Sequence, residues 1–200
     1  NSRVNLHLQP GLLGLAGTTG TGFAAGTSNS ADQAESAAWR AIQASCWPAD
    51  LARQCREFLE KYPFSQQAEA VGLYQQEALA ALEVLRNPDV RLFKTSFVLP
   101  STLAQARLAE GQTDLHRAAR GDKDAAARVA RLYRESRTET DQPRYVGWLQ
   151  YAGALGNGIA AYELALHYRE VGQPLLAAQS EALALKLGYS PPRSLGHSRK

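Results

Sequence analysis

The second half of this chain repeats itself, and that repeat constrains the fold more than any other feature. Ala118-Ala119-Arg120-Gly121-Asp122 is followed by a helix-forming run from Ala125 to Tyr133. Thirty-five residues later Gly153-Ala154-Leu155-Gly156-Asn157 is followed by Ala160 to Tyr168. The apolar set Ala126, Val129, Ala130, Tyr133 maps onto Ala161, Leu164, Ala165, Tyr168. Each set is spaced i, i+3, i+4, i+7, which is one face of a helix. A third copy opens at Leu187-Gly188-Tyr189 and stops at Pro191-Pro192. A period of this length marks stacked helical hairpins. One hairpin cannot bury its apolar face alone, so its neighbours must cover it. The expected fold is therefore all-α, an α-solenoid of stacked antiparallel helix pairs. Ala130, Ala152, Ala165 and Ala178 are small enough to let helices approach, and Tyr133 and Tyr168 fill the gaps. Gly121, Gly156 and Gly188 suit the left-handed position that ends a helix.

Composition agrees with helix. Hydrophobic residues make up 44% of the 200 positions and charged residues 20%, enough apolar material for a core. Ala and Leu dominate and β-branched residues are scarce, which favours helix over sheet. The net charge of +3 is spread among interleaved acids rather than gathered on one face, so no nucleic-acid partner is expected. Only Arg193 to Lys200 is locally basic. No stretch approaches the ~18–20 apolar residues of a membrane span, and Gly11 to Gly17 is too short and too rich in glycine. The sequence opens at Asn1 and contains no Met, so it reads as processed or cut, and a removed signal peptide would account for its start.

Three segments are expected. Residues 1–30 carry Gly11, Gly14, Gly17, Gly20, Gly22 and Gly26 among Thr, Ser and Ala, and read as a flexible lead-in. Residues 31–100 form an N-terminal helical half. Its first helix starts near Ser30 or Asp32 and runs to about Cys46. A second begins at Pro48, with Leu51, Cys55, Phe58, Leu59 and Tyr62 on one stripe, and ends at Pro63. A third spans roughly Ser65 to Arg86. Residues 88–100 are apolar without a period, an ordered connector. Residues 101–200 hold the repeats. Cys46 and Cys55 lie close in sequence with no CxxC and no zinc-site histidine. In an oxidising compartment they would bridge, because Trp47-Pro48 breaks the chain between them; in the cytosol they would be two small buried hydrophobes. The bridge is the favoured reading.

From about Leu115 to Pro192 the chain resembles the SEL-type repeat, a relative of the tetratricopeptide repeat. The residues that carry this are Leu132-Tyr133, Trp148-Leu149-Gln150-Tyr151-Ala152, Leu155-Gly156, Ala161, Leu164-Ala165, Tyr168 and Leu187-Gly188-Tyr189. The loop Glu135 to Gln142 departs from that pattern, since it has no glycine. In the first half, Phe58-Leu59-Glu60-Lys61-Tyr62-Pro63, Ser65, Ala68, Ala70 and Tyr74 are similar to tetratricopeptide repeats of bacterial envelope proteins. These resemblances imply protein–protein binding in a groove lined by the first helix of each pair. They also imply a periplasmic or outer-membrane-associated setting.

Chemistry is harder to find. No two of His7, His116, His167 and His197 have the i, i+4 spacing of a zinc-protease helix. Glu163 and His167 are one turn apart and form an acid–base pair on paper, but such pairs are usually exposed helical contacts. Gly17 to Gly26 lacks the Gly-Lys-Ser/Thr ending of a phosphate loop. Tyr145, Trp148 and Tyr151 lie three apart on one helix, and core packing is favoured over ligand stacking. No catalytic residue, metal or cofactor is expected, and the chain is not expected to be an enzyme. The candidate partner-binding residues are Arg128, Arg131 and Arg134, a row of guanidiniums suited to carboxylates, flanked by Glu163 and His167. The expected function is a non-enzymatic scaffold of the bacterial cell envelope that binds another protein or peptide. The rivals are a structural subunit of a larger envelope assembly and an enzyme acting on cell-wall glycan, for which Glu135, Glu139 and Asp141 would supply the acids.

Overall fold

The computed structural model of the chain describes residues 25–136 and 138–191. The glycine-rich stretch through residue 24, which holds His7, and the basic tail Arg193 to Lys200, which holds His197, lie outside the described residues. The fold is all-α, with no strand among the described residues. The helices are α1 (Ala25–Ala44), α2 (Pro48–Lys61), α3 (Ala68–Leu85), α4 (Leu108–Ala119), α5 (Lys123–Ser136), α6 (Gln142–Ala154), α7 (Gly158–Glu170) and α8 (Pro174–Lys186). Single 3₁₀ turns occupy Lys94–Ser96 and Gln105–Arg107. The chain divides into two compact units, Asn1–Ala34 and Glu35–Lys200. The described part of the first is the opening stretch of α1.

Helix α1 is already helical at Ala25, earlier than the capping residues Ser30 and Asp32 suggest. Gly26 costs only about 1 kcal/mol in a helix and Thr27, Ser28 and Asn29 less, so nothing there stops the helix. Pro48 opens α2, where its missing N–H is no loss. The stripe turns inward as its spacing predicts: Leu51, Cys55 and Phe58 are buried, and Leu59 and Tyr62 partly so. Ser65 accepts a hydrogen bond at its Oγ from the Gln67 N–H (3.0 Å) and donates to Glu35 (2.6 Å), which fixes the turn into α3.

The repeat has a repeated turn. Gly121 (φ 79°), Gly156 (φ 103°) and Gly188 (φ 81°) all take the left-handed conformation. At each, the next residue's N–H reaches five residues back: Asp122 to the Arg117 carbonyl (3.1 Å), Asn157 to Ala152 (2.9 Å), Tyr189 to Ala184 (3.0 Å). These bonds satisfy carbonyls that the helix end would leave bare. Asp122 and Asn157 then cap the next helix. The Asp122 Oδ1 accepts from Asp124 and Ala125 N–H (2.9 Å each), and Asn157 Oδ1 from Ala160 N–H (2.8 Å). All eight residues of the two apolar sets are buried. Each helix from α4 to α8 packs on its neighbour in sequence, as α2 does on α3. Ala178 is exposed, and Ala177 takes the inward position instead.

The connector between α3 and α4 is tied to the helices. Phe97 is buried with its ring centroid 5.1 Å from Trp47, 4.6 Å from Trp148 and 6.0 Å from Tyr151. Backbone carbonyls of the connector accept side-chain donors from the repeats: Ser96 from Trp148 Nε1 (3.2 Å) and Val98 from the Tyr133 hydroxyl (2.6 Å). Tyr145, Trp148 and Tyr151 are all buried, so this aromatic stripe is core. The junction of α3 with α4 is more polar. Arg120 stacks on Tyr74 (3.6 Å to the centroid) and pairs with Glu77 (2.7 Å), and His116 Nδ1 lies 2.8 Å from the Ser45 carbonyl.

The expected Cys46–Cys55 bridge is not formed: both are free thiols. The break at Trp47-Pro48 does not fold one cysteine back on the other, because Cys55 rides on the helix that Pro48 starts. Seven residues of helix carry it about 10 Å along the axis, whereas a bridge needs Cα atoms within about 7 Å. Cys46 instead receives the Gln112 side-chain amide at 2.8 Å, and Cys55 is packed in the core.

Candidate functional site

The arginine row is shared out among different partners. Arg128 grips Asp114 of α4. Its Nε donates to both carboxylate oxygens (3.1 and 3.0 Å) and its Nη2 to Oδ1 (2.7 Å). Asp114 is buried, so a paired guanidinium there satisfies a carboxylate that would otherwise be costly. Arg131 faces Glu163 of α7, Nε to Oε1 at 3.6 Å. Arg134, in the last turn of α5, is exposed and lines a cleft of about 240 Å³.

That cleft joins the end of α5, the start of α6 and the outer face of α7. Its walls are Arg134, Gln142, Tyr145, Glu163, His167 and Glu170, with Leu166. Three of the five residues proposed from sequence, Arg134, Glu163 and His167, therefore meet here, with Arg131 reaching Glu163 from α5, while Arg128 is engaged on Asp114. Tyr145 and His167 stand edge to face, centroids 6.0 Å apart and planes at 90°. Burial pushes the Tyr145 hydroxyl up from its ordinary value, and the nearby Glu163 carboxylate adds to this while Arg134 opposes it. Burial also pushes His167 down, against the pull of Glu170, so the imidazole is neutral at pH 7. The Glu163 Oε2 is buried and has no hydrogen-bond partner among the described residues.

A much larger groove of about 1270 Å³ lies between the connector, α6, α7 and α8. Its apolar wall comprises Phe93, Val146, Val171, Leu176, Leu183 and Leu187. Phe93 is 65% exposed and Val171 51%. Polar residues edge it, among them Arg91, Glu139, Arg144 and Lys186. Gln150 pins its floor: Oε1 accepts from the Arg91 N–H (2.9 Å) and Nε2 donates to the Tyr168 hydroxyl (2.9 Å). No local sequence pattern marks this groove. Phe93 was visible as an apolar residue without a period, but whether such a residue faces in or out is settled by what packs beside it.

Of the acids weighed for glycan chemistry, only Glu139 lines the groove. Glu135 pairs with Arg107 at 2.7 Å. Asp141 is buried, accepting from Ser136 and from Arg144 (3.2 Å), and these donors hold its carboxyl below the usual range against the opposing effect of burial. Glu139 is exposed at the groove's edge. Among the described residues no helix is long and apolar enough to cross a membrane. No protein-family model matches the chain, and neither a curated protein nor a solved structure does.

Proposed function

We propose that this protein is a non-enzymatic scaffold of the bacterial cell envelope that holds a segment of another protein in the groove between the connector, α6, α7 and α8. The observation that carries this reading is the exposed apolar wall of that groove, with Phe93 and Val171 at its surface. Large apolar side chains held open to water in a concave, charge-edged setting are the usual anchors of a protein interface. At about 1270 Å³ the groove is also roomier than the ~300–1,000 Å³ of typical small-molecule sites, which suits an extended or helical segment. The repeated glycine turns and the inward tyrosine and alanine sets support a tetratricopeptide/SEL-type solenoid as the finer architecture. The resemblance of Phe58 to Pro63 to envelope tetratricopeptide proteins supports the location.

Selection of a random peptide library on the whole chain, followed by fluorescence anisotropy with the enriched peptides, tests the reading. Phe93→Asp and Val171→Asp should each weaken binding by at least roughly tenfold, the effect of losing an interface anchor. Arg53→Ala on the exposed face of α2 should change nothing. Failure to enrich any peptide, or binding indifferent to both groove variants, overturns it.

A further inference from the structure

Helix α8 turns three sides to different surroundings. Ala177, Ser180 and Ala184 are buried on the side packed against α7. Leu176 and Leu183 line the large groove. The third side faces water, and it is apolar. Leu175 is 70% exposed and Leu185 55%, with Ala178 and Ala182 exposed between them. Single apolar residues on a surface are ordinary. These four are instead spaced i, i+3, i+7 and i+10, the a and d positions of a seam that meets another helix.

The order along the seam says which helix fits it. Leu175 and Leu185 stand equally far from Ser180, and so do Ala178 and Ala182. The stripe therefore reads large, small, small, large in both directions. A two-fold interface needs a patch that is its own complement. With two copies of α8 antiparallel, Leu175 of one shares a layer with Leu185 of the other, and Ala178 with Ala182. The central alanines let the helix axes approach, and the leucines close both ends. An unrelated partner would give no reason for this symmetry. The flanking charges fit as well. Glu181 borders the seam and is paired with Arg169 of α7, so two copies bring together acids that are already neutralised. Gln179 borders the other side without charge, and Lys186 stands at the seam's end, where its ammonium keeps its water.

We propose that this outer face of α8 is the contact surface for a second copy of this chain, joined as an antiparallel α8–α8 pair about a two-fold axis at the level of Ser180. One 13-residue helix from each copy makes a small interface, below about 1,200 Å², so the dimer is weak and forms as concentration rises. The groove residues of α8 lie on another side, so both grooves stay open whatever they hold.

Sedimentation velocity of the whole chain, from the micromolar into the millimolar range, should show the mass rising from that of one chain toward that of two. Leu175→Lys and Leu185→Lys should each weaken the dimer by at least roughly tenfold, the effect of losing an interface anchor. Both side chains already face water, so the helical circular dichroism should not change. Leu73→Lys on the exposed side of α3 is the control and should leave the dimer intact. An oxidised mixture of Leu175→Cys and Leu185→Cys chains should cross-link through the two new thiols, mapped by mass spectrometry. Neither chain alone should do so, because antiparallel pairing sets like positions about 15 Å apart along the axis. A single-chain mass at every concentration overturns the proposal, as does a dimer indifferent to both lysine variants. Cross-linking of the Leu175→Cys chain to itself at position 175 also overturns it, since that requires parallel helices. If the dimer forms and no peptide enters the groove, the scaffold reading fails and the dimer stands. If groove peptides bind and the chain stays single, the dimer alone fails.

Discussion

The carbonyl oxygen of Arg91 occupies the space that a side chain on Gly147 would need: a β-carbon at position 147 would stand 2.5 Å from it. This contact seats the connector on α6 and sets one wall of the groove. Gly147→Ala should push the connector away at a cost of about 1–3 kcal/mol, typical of overpacking. The melting temperature should fall by several degrees, and affinity for groove-selected peptides should fall with it. Gly72 in α3 is the contrast, since a β-carbon there meets nothing within 4 Å. Gly72→Ala should be neutral or stabilising by up to about 1 kcal/mol, because alanine is the better helix former. Urea titration of the two variants checks both signs.

The Arg128–Asp114 fork should act as a structural pair. Arg128→Met leaves a buried carboxylate without its three hydrogen bonds and should cost about 1.5–3 kcal/mol. Asp114→Asn should cost a similar amount. The double variant should be less destabilised than the sum, because each change removes the same interaction. Peptide affinity should be unchanged in all three. A double-mutant cycle of unfolding free energies, with additive losses as the contrary outcome, decides the matter.

Mild acid should loosen the fold. Burial lowers His116 from its ordinary value of 6.5, although the Ser45 carbonyl hydrogen bond opposes the shift. The other groups acting on it are Arg120, which lowers it further, and Glu77, which raises it. His167 is lowered in the same direction. A histidine whose folded value is depressed binds its proton more readily when unfolded. Its contribution is therefore complete above 6.5 and is lost as pH falls through the folded value. Stability should drop as pH falls below 6.5. His116→Gln and His167→Gln should each flatten part of that drop, read from melting temperatures across the range.

Both thiols should be present and slow to react. Burial pushes Cys55 up to about 11, against a nearby Arg120 charge, and raises Cys46 as well. The thiolate is the reactive form, so iodoacetamide at neutral pH should label the native protein poorly. After denaturation without reductant, mass spectrometry should show two alkyl groups added. Addition of none would mean the two cysteines are bridged after all.

The repeat made much of the fold legible. Ala126, Val129, Ala130 and Tyr133 point inward because helical period is local, and the same period thirty-five residues later buries Ala161, Leu164, Ala165 and Tyr168. Local steric demands also placed Gly121, Gly156 and Gly188 at helix ends. Register at the last helix was harder: Ala177 faces in and Ala178 is exposed, one residue apart in a helix rich in alanine and leucine.

What the sequence determines by itself is therefore whatever depends on residues within a turn or two of one another: helix, helix end and buried stripe. The tertiary structure alone decided which charges meet and which apolar residues stay bare. Arg128, Arg131 and Arg134 are alike in sequence, yet one faces Asp114, one Glu163 and one the open cleft. Leu92 is buried and Phe93 exposed, one residue apart in a segment with no period to distinguish them. Cys46 and Cys55 are near in sequence and held apart by the rise of a helix. In each case the outcome depends on which distant helix stands opposite, and that is set by packing rather than by local periodicity.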